Sequence, residues 1–306
     1  MLSAGNLIPL ESLGVLRARG ADTVSFLQGQ LSNDLARLAA ECSLLAGYHN
    51  PQGRVIAVLR LLHLGAGDVL AVLPRELVAP VVQRLARFIL RAKVRLTDES
   101  SRWVIAGVLG AAAPDSIELP HEAERATRVD ESMVVRLAGE ARRWLVVSPE
   151  SERLTLDGSA ALAARWQLAA IAAGEPQVYA ATSEEFVAQM LNLDVLGAIA
   201  FDKGCYTGQE VIARAHFRGR VKRRMQRFLT AQPFELRAAD SGVLADGRSF
   251  RVVRATAHPD GRSEFLAVTA LESKESTPRA DPPGDAAGTA APLNAQQLEL
   301  PYALPE

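Results

Sequence analysis

The sequence predicts an α+β fold with a small antiparallel barrel or sandwich at its C-terminal end, and three observations point there. Through the first 220 residues, segments with apolar side chains three and four apart alternate with short β-branched runs. After residue 221 short strands follow one another, with Asp246-Gly247 and Asp260-Gly261 as hairpin signals. With 306 residues, 48% of them apolar, the chain has material for two domains, placed at 1–220 and 221–306.

The first helix is expected in DTVSFLQGQLSNDLARL, where Val24, Leu27, Leu31, Leu35 and Leu38 share a face and Asp22 is the cap. YHNPQGRVIAVLRLLHL reads as a strand hairpin turning at Asn50, Pro51 and Gly53. Helical spacing returns over residues 77–90, through Val78, Val81, Val82, Leu85 and Ile89. RWVIAGVLG and RRWLVVSPE read as strands, and SAALAARWQLAAIAAGEP as an alanine-rich helix stopping at Gly174 and Pro176. Thr182 or Ser183 would cap a further helix in EEFVAQMLNL. The aperiodic Pro, Ala, Gly and charge of about 273–292 predict a disordered insertion, after which QQLELPYALP suits a last strand.

A net charge of −1 gives no global attraction to nucleic acid or acidic membranes. Cys42 and Cys205, 163 residues apart, make neither a disulfide framework nor a closed metal site, and the five histidines show no paired metal spacing. The N-terminus lacks a signal-peptide pattern, and Arg60, His63 and Asp68 interrupt the most apolar stretch, so no membrane span is expected. The reading is a cytoplasmic monomer without a metal site.

The densest chemistry lies in FDKGCYTGQEVIARAHFRGRVKRR, residues 201–224. Thr207 and Glu210 have the spacing of a capping box, which would set Cys205 just before a helix N-terminus. A helix N-terminus and a neighbouring lysine, here Lys203, both favour thiolate over thiol. Cys205 is then a reactive thiol or, equally well on spacing alone, a small buried residue in a glycine-flanked turn. His216, eleven residues on, is too distant along a helix to serve it as a base. Arg214, Arg218, Arg220, Lys222, Arg223, Arg224 and Arg227 follow without an acid among them. Such a run suits a polyanion, either a polyglutamylated cofactor or, in a weak contact, RNA phosphates; a solvated strand face explains it too. Its aromatics, Phe217 and Phe228, are too few to argue base stacking.

KGCYTGQE at 203–210 resembles the signature of the YgfZ-type folate-binding proteins, relatives of the glycine cleavage T-protein. FLQGQLSND (26–34), NPQGR (50–54), FVAQMLNLD (186–194), ARAHFRGRVKRR (213–224) and the terminal ELPY resemble that family in the same order. The resemblance implies α+β subdomains around a central folate cleft and a C-terminal β-barrel. It also implies tetrahydrofolate or a derivative as cofactor. The implied partners are iron–sulfur enzymes or cluster-assembly proteins, including enzymes that modify tRNA. On it Cys205 is the family's required thiol. Arg165, Gln28, Gln30, Asn33, Tyr206, Gln209 and Glu210 are expected at the cofactor, although Gln28, Gln30 and Asn33 suit helix-end capping as well. One departure bears on the reaction. Ala57 and Val58 stand where T-proteins carry acids needed for aminomethyl transfer, so a transferase is the second reading. Ala188 replaces a proline usual in relatives and bears on helix entry.

Overall fold

The protein is described by a computed structural model covering residues 7–110, 119–152, 154–219, 221–271 and 291–305. Asn50 makes the first hairpin. Its Oδ1 accepts the N–H groups of Gln52 and Arg54, both at 3.0 Å, between antiparallel strands Ser43–His49 and Val55–Gly65. Strands Asp68–Pro74, Leu13–Arg19 and Arg95–Asp98 continue this sheet in that order. Helix α1 (Thr23–Gln28) and helix α2 (Arg75–Ala86) flank it; α2 buries Val78, Val81 and Leu85 as its spacing predicts, with Leu77 beside them, whereas Val82 is half-buried and Ile89 lies past the helix end. A second antiparallel sheet has the order Ile8–Pro9, Trp103–Leu109, Arg143–Pro149, Ser132–Leu137 and Ala126–Val129. Helix α3 (Ala160–Ala172) lays Trp166 on it at Gly107, where a Cβ would stand 2.6 Å from the indole ring. The third sheet runs Ser241–Val243, Ser249–Ala257, Ser263–Ala270, Arg223–Thr230 and Ala295–Leu298.

The cores join these sheets. One cluster packs the first sheet against residues 186–212 and against Met225, Val253, Leu266 and Val268 of the third. Another packs Val15, Leu62, Leu70 and Val72 of the first sheet against Ile105, Leu145 and Val147 of the second, with Trp166 at its end. Among the described residues no helix is long and apolar enough to cross a membrane.

Several expectations are corrected. The C-terminal sheet is not a closed barrel among the described residues. Its edges are joined by no strand ladder, but by an isolated parallel bridge, Leu244 with Leu293, and by Arg248 Nη2 on Gln297 Oε1 at 3.2 Å. Helix α1 stops at Gln28 instead of running to Leu38. Beyond it the chain bonds sideways, Ser32 N–H to the Gly47 carbonyl at 2.9 Å, which ends the helical ladder. Asp22 stands at the N-cap of α1 as expected, but its carboxylate bonds no helix N–H; it accepts the Lys93 N–H at 2.7 Å. The helix expected in EEFVAQMLNL is only a 3-10 turn, Ala188–Leu191, ended by Asn192 at φ 58°. The insertion expected at about 273–292 lies outside the described residues except for 291 and 292.

Candidate functional site

Where the three sheets meet lies a narrow cleft open to solvent at its mouth. Leu13, Val58 and Val72 of the first sheet, Leu137 and Leu145 of the second, and Trp166 form its apolar walls. Arg60, Gln167, Glu175 and Arg254 supply polar groups. Each comes from a different place in the sequence. Arg60 sits in the middle of the strand Val55–Gly65, Arg254 in Ser249–Ala257, Gln167 in α3, and Glu175 just past the helix end.

The charges there are arranged around Glu175. Arg143, with its side chain 1% exposed, donates to Glu175 Oε2 at 2.9 Å and lies 5.4 Å over the Trp166 ring. Arg254 donates to Gln167 Oε1 through Nε at 3.1 Å and Nη2 at 2.6 Å. Arg60 bonds the Ser43 hydroxyl at 2.9 Å and pairs with Glu124. Burial works against an ionised Glu175, yet the fields of Arg143, Arg254 and Arg60 outweigh it and hold its pKa down to about 2. Two of these arginines keep donors with no protein acceptor: Nε and Nη1 of Arg143 and Nη1 of Arg254 are buried and unbonded. A buried guanidinium N–H left unbonded costs about 1–3 kcal/mol or more, so these donors call for an acceptor from water or a ligand. The cleft therefore offers an anionic acceptor in Glu175, a spare guanidinium donor on Arg254 and apolar walls within one space.

Glu175 also sets an acid limit. Its folded pKa lies below its ordinary value of 4.5, so its stabilisation is complete above about pH 4.5 and is lost as pH falls towards 2. We expect Glu175→Gln to be less stable than the wild type at pH 7. Urea unfolding from pH 7 to pH 3 should show that gap narrowing below pH 4.5; a gap independent of pH would contradict the assignment.

The second constellation is the turn that carries Cys205. Gly208, at φ 83°, ends it and begins helix α4 (Gln209–Phe217). Here two backbones touch. A Cβ on Gly208 would lie 2.6 Å from the Asn50 carbonyl oxygen, and one on Gly53 would lie 3.0 Å from Val211. The Asn50–Gly53 hairpin turn is thus packed directly under the thiol-bearing turn. Lys203 fixes the other side. Its ammonium donates to the carbonyls of Gln28 and Leu31 at 2.7 Å and of Asn33 at 2.8 Å. Burial lowers its pKa to about 8, which keeps it protonated at neutral pH. Cys205 itself is exposed and makes no hydrogen bond among the described residues.

No family model matches the chain. The proteins named tRNA-modifying protein YgfZ from Escherichia coli strain K12 and from Shigella flexneri are each 34% identical to it over 229 residues, spanning 71% of this chain and 69% of theirs. This chain belongs to the YgfZ family. Among solved structures, the glycine cleavage system aminomethyltransferase T from Bartonella henselae matches with a TM-score of 0.67. The match covers 88% of this chain and 79% of that one at 14% identity, a likeness of fold.

Across this YgfZ chain the residues singled out by sequence fall into separate places. Gln28, Asn33, Lys203 and Tyr206 do cluster, but none of them lines the cleft between the sheets. Gln28 is occupied locally, its Nε2 on Asp34 at 2.9 Å and its Oε1 on the Leu35 N–H at 2.7 Å. Asn33 is 1% exposed and donates to the Leu45 and Gly197 carbonyls. Both are structural ties instead of free cofactor contacts. Gln30 differs, because its Oε1 is buried without a partner. Tyr206 is 7% exposed, under Lys203 at 5.2 Å, and burial raises its hydroxyl to about 12. Gln209 is half-buried in the first turn of α4, Glu210 is exposed, and Thr207 caps nothing, since Gly208 is the N-cap. Arg165 is exposed on α3, while its neighbours Trp166 and Gln167 line the cleft. Lys203 acts by positioning, since all three of its N–H donors end on carbonyls and none is left for the thiol.

The residues that sequence reasoning missed are Arg60, Arg143, Gln167, Glu175 and Arg254. A signal was present: Arg60 and Arg254 each interrupt an apolar strand run. His49 was also passed over. It is 1% exposed, 6.2 Å from the Tyr206 ring, with both ring nitrogens unbonded, and burial lowers its pKa to about 3.

Proposed function

We propose that this protein is a folate-binding factor, for tetrahydrofolate or a derivative, that supports the assembly or repair of iron–sulfur proteins, tRNA-modifying enzymes among them. Cys205 is its reactive thiol. The observation that carries the folate half is the cleft, which an ionised Glu175 shares with a spare guanidinium donor of Arg254 and with Trp166. These groups fit a folate. Glu175 Oε1 makes no hydrogen bond to the protein among the described residues and suits the N–H edge of a pterin. An arginine fork suits a carbonyl or carboxylate. The protein's part is to orient the cofactor and exclude water. The relatives' name, tRNA-modifying protein YgfZ, supports the tRNA side of the reading, and the exposure of Cys205 supports an encounter with another molecule.

Aminomethyl transfer is disfavoured by the cleft wall. Val58 lines it and Ala57 is fully buried opposite Tyr48, so no carboxylate stands on that strand segment. Turnover of an aminomethylated lipoyl carrier with tetrahydrofolate would restore the transferase reading.

One experiment tests both halves: calorimetry with tetrahydrofolate on wild type, Glu175→Gln and Cys205→Ser, and complementation of a strain lacking its family member. We expect wild type to bind, and Glu175→Gln to bind roughly tenfold or more weakly through loss of a charge-assisted hydrogen bond. Cys205→Ser should bind like wild type and fail in cells. No binding at millimolar folate removes the cofactor. Full complementation by Cys205→Ser removes the thiol.

A further inference from the structure

The basic run is not one surface. Arg224 pairs with Asp194 at 2.8 Å, Arg227 with Glu264 at 2.6 Å, and Arg223 donates to the hydroxyl of Ser249 at 3.2 Å. Those three cations are engaged by the fold. Arg214, Arg218 and Lys222 are exposed and have no ion-pair partner among the described residues. The sequence alone could not separate the two sets.

Beside the free set lies an aromatic stack. Phe201 and His216 are parallel, with centroids 3.8 Å apart and 16° between planes. Phe217 meets them edge-on, at 5.8 Å and 4.8 Å, and is itself 68% exposed. Phe201 comes from the segment preceding Lys203, so counting aromatics within the basic run misses the stack. A phenylalanine ring held by two other rings, open to solvent and flanked by unpaired cations, is what a base and its adjoining phosphates bind. The C-terminus of α4 carries about half a negative charge, which the full charges of Arg214, Arg218 and Lys222 outweigh. Asp202 and Glu210 are the exposed acids of the same segment; they reduce the net positive charge without pairing with it.

We propose that this end of α4 is a platform for single-stranded nucleic acid, with a base stacked on Phe217 and phosphates on Arg214, Arg218 and Lys222. A protein partner fits less well. The exposed apolar groups on α4 are Phe217 and Val211, far short of the roughly 800 Å² per partner of a standard protein interface. The platform goes beyond the folate reading and does not rest on it.

The test is fluorescence anisotropy of the full chain with labelled 12-nucleotide single-stranded RNA, the same sequence as single-stranded DNA, and an RNA duplex. Salt is varied between 50 and 200 mM. Three neutralised phosphates predict a slope of about −2 in log affinity against log salt. Phe217→Ala should weaken single-strand binding roughly tenfold with the slope unchanged, and Phe217→Trp should restore it. Arg214→Gln with Arg218→Gln should flatten the slope by about 1.4. Since all three side chains are exposed, unchanged thermal midpoints are expected and confirm that the variants fold. A preference for RNA over DNA names the source of the strand, and equal binding names the class; either bears the proposal out. Absence of single-strand binding at 50 mM salt, duplex binding as tight as single-strand binding, or an unaltered affinity for Phe217→Ala overturns it. The surface then belongs to a protein partner.

Discussion

Asp194→Ala should destabilise the protein by about 3–5 kcal/mol, the cost of stranding a buried charge. Arg224 holds Asp194 with a fork of two hydrogen bonds, 2.9 and 2.8 Å, and the two side chains are only 4% and 7% exposed. Arg224 also donates to the Gln189 carbonyl at 3.0 Å, and Asn192 Nδ2 to that of Met225 at 2.8 Å. Together these bonds tie the 188–194 turn to the strand Arg223–Thr230. Urea unfolding read at two wavelengths measures the loss. Replacing both members with apolar residues, Asp194→Leu with Arg224→Met, should recover part of it, because no guanidinium is then left alone. A loss under about 1 kcal/mol for Asp194→Ala would mean that the pair is open to water in solution.

Lys203→Met should cost about 3 kcal/mol or more, since three charge-assisted hydrogen bonds go at once and three carbonyls lose their donor. Lys203→Arg should not rescue it. A planar guanidinium directs its donors outwards in a fork, and three carbonyls converging on one point need a tetrahedral ammonium. Amide hydrogen exchange localises the effect, with protection expected to fall in 28–34 and 203–208 and to hold in the third sheet. Protection retained at both segments in Lys203→Met would show that the turn stands without the lysine.

Much of the fold was legible because it is local. The Asn-Pro-x-Gly turn, α2 and α3 carry their own spacing and stop signals, and they form where those signals place them. EEFVAQMLNL misled for a physical reason. Phe186, Ala188, Leu191 and Leu193 are all nearly or fully buried, so the segment has no solvent face for a helical stripe to define. Its polar groups bond to other segments, as Gln189 Nε2 does to the Ile212 carbonyl at 2.7 Å. The Cys205 turn was legible as a motif, but the partner of Lys203 was not. A lysine two residues from a cysteine invites an electrostatic reading, whereas its acceptors are backbone atoms that no sequence pattern marks. The charged cleft was least legible, since Arg60, Arg143, Glu175 and Arg254 come together only when three sheets pack.

The hydrogen bonds of Lys203 span 175, 172 and 170 residues of chain. During synthesis, the carbonyls of Gln28, Leu31 and Asn33 leave the ribosome roughly 10–30 s before their donor does, at ordinary elongation rates. Water must hold them meanwhile, and the loop that contains them stays unfinished while the strands around it are already made. The closing of so long a loop is slow compared with hairpin formation. Later still comes Tyr302, whose hydroxyl donates to the Gly174 carbonyl at 2.8 Å across 128 residues. The thiol-bearing turn therefore reaches its folded setting only after residue 203 has been made, and a product cut short before it lacks the one donor that joins the carbonyls of Gln28, Leu31 and Asn33.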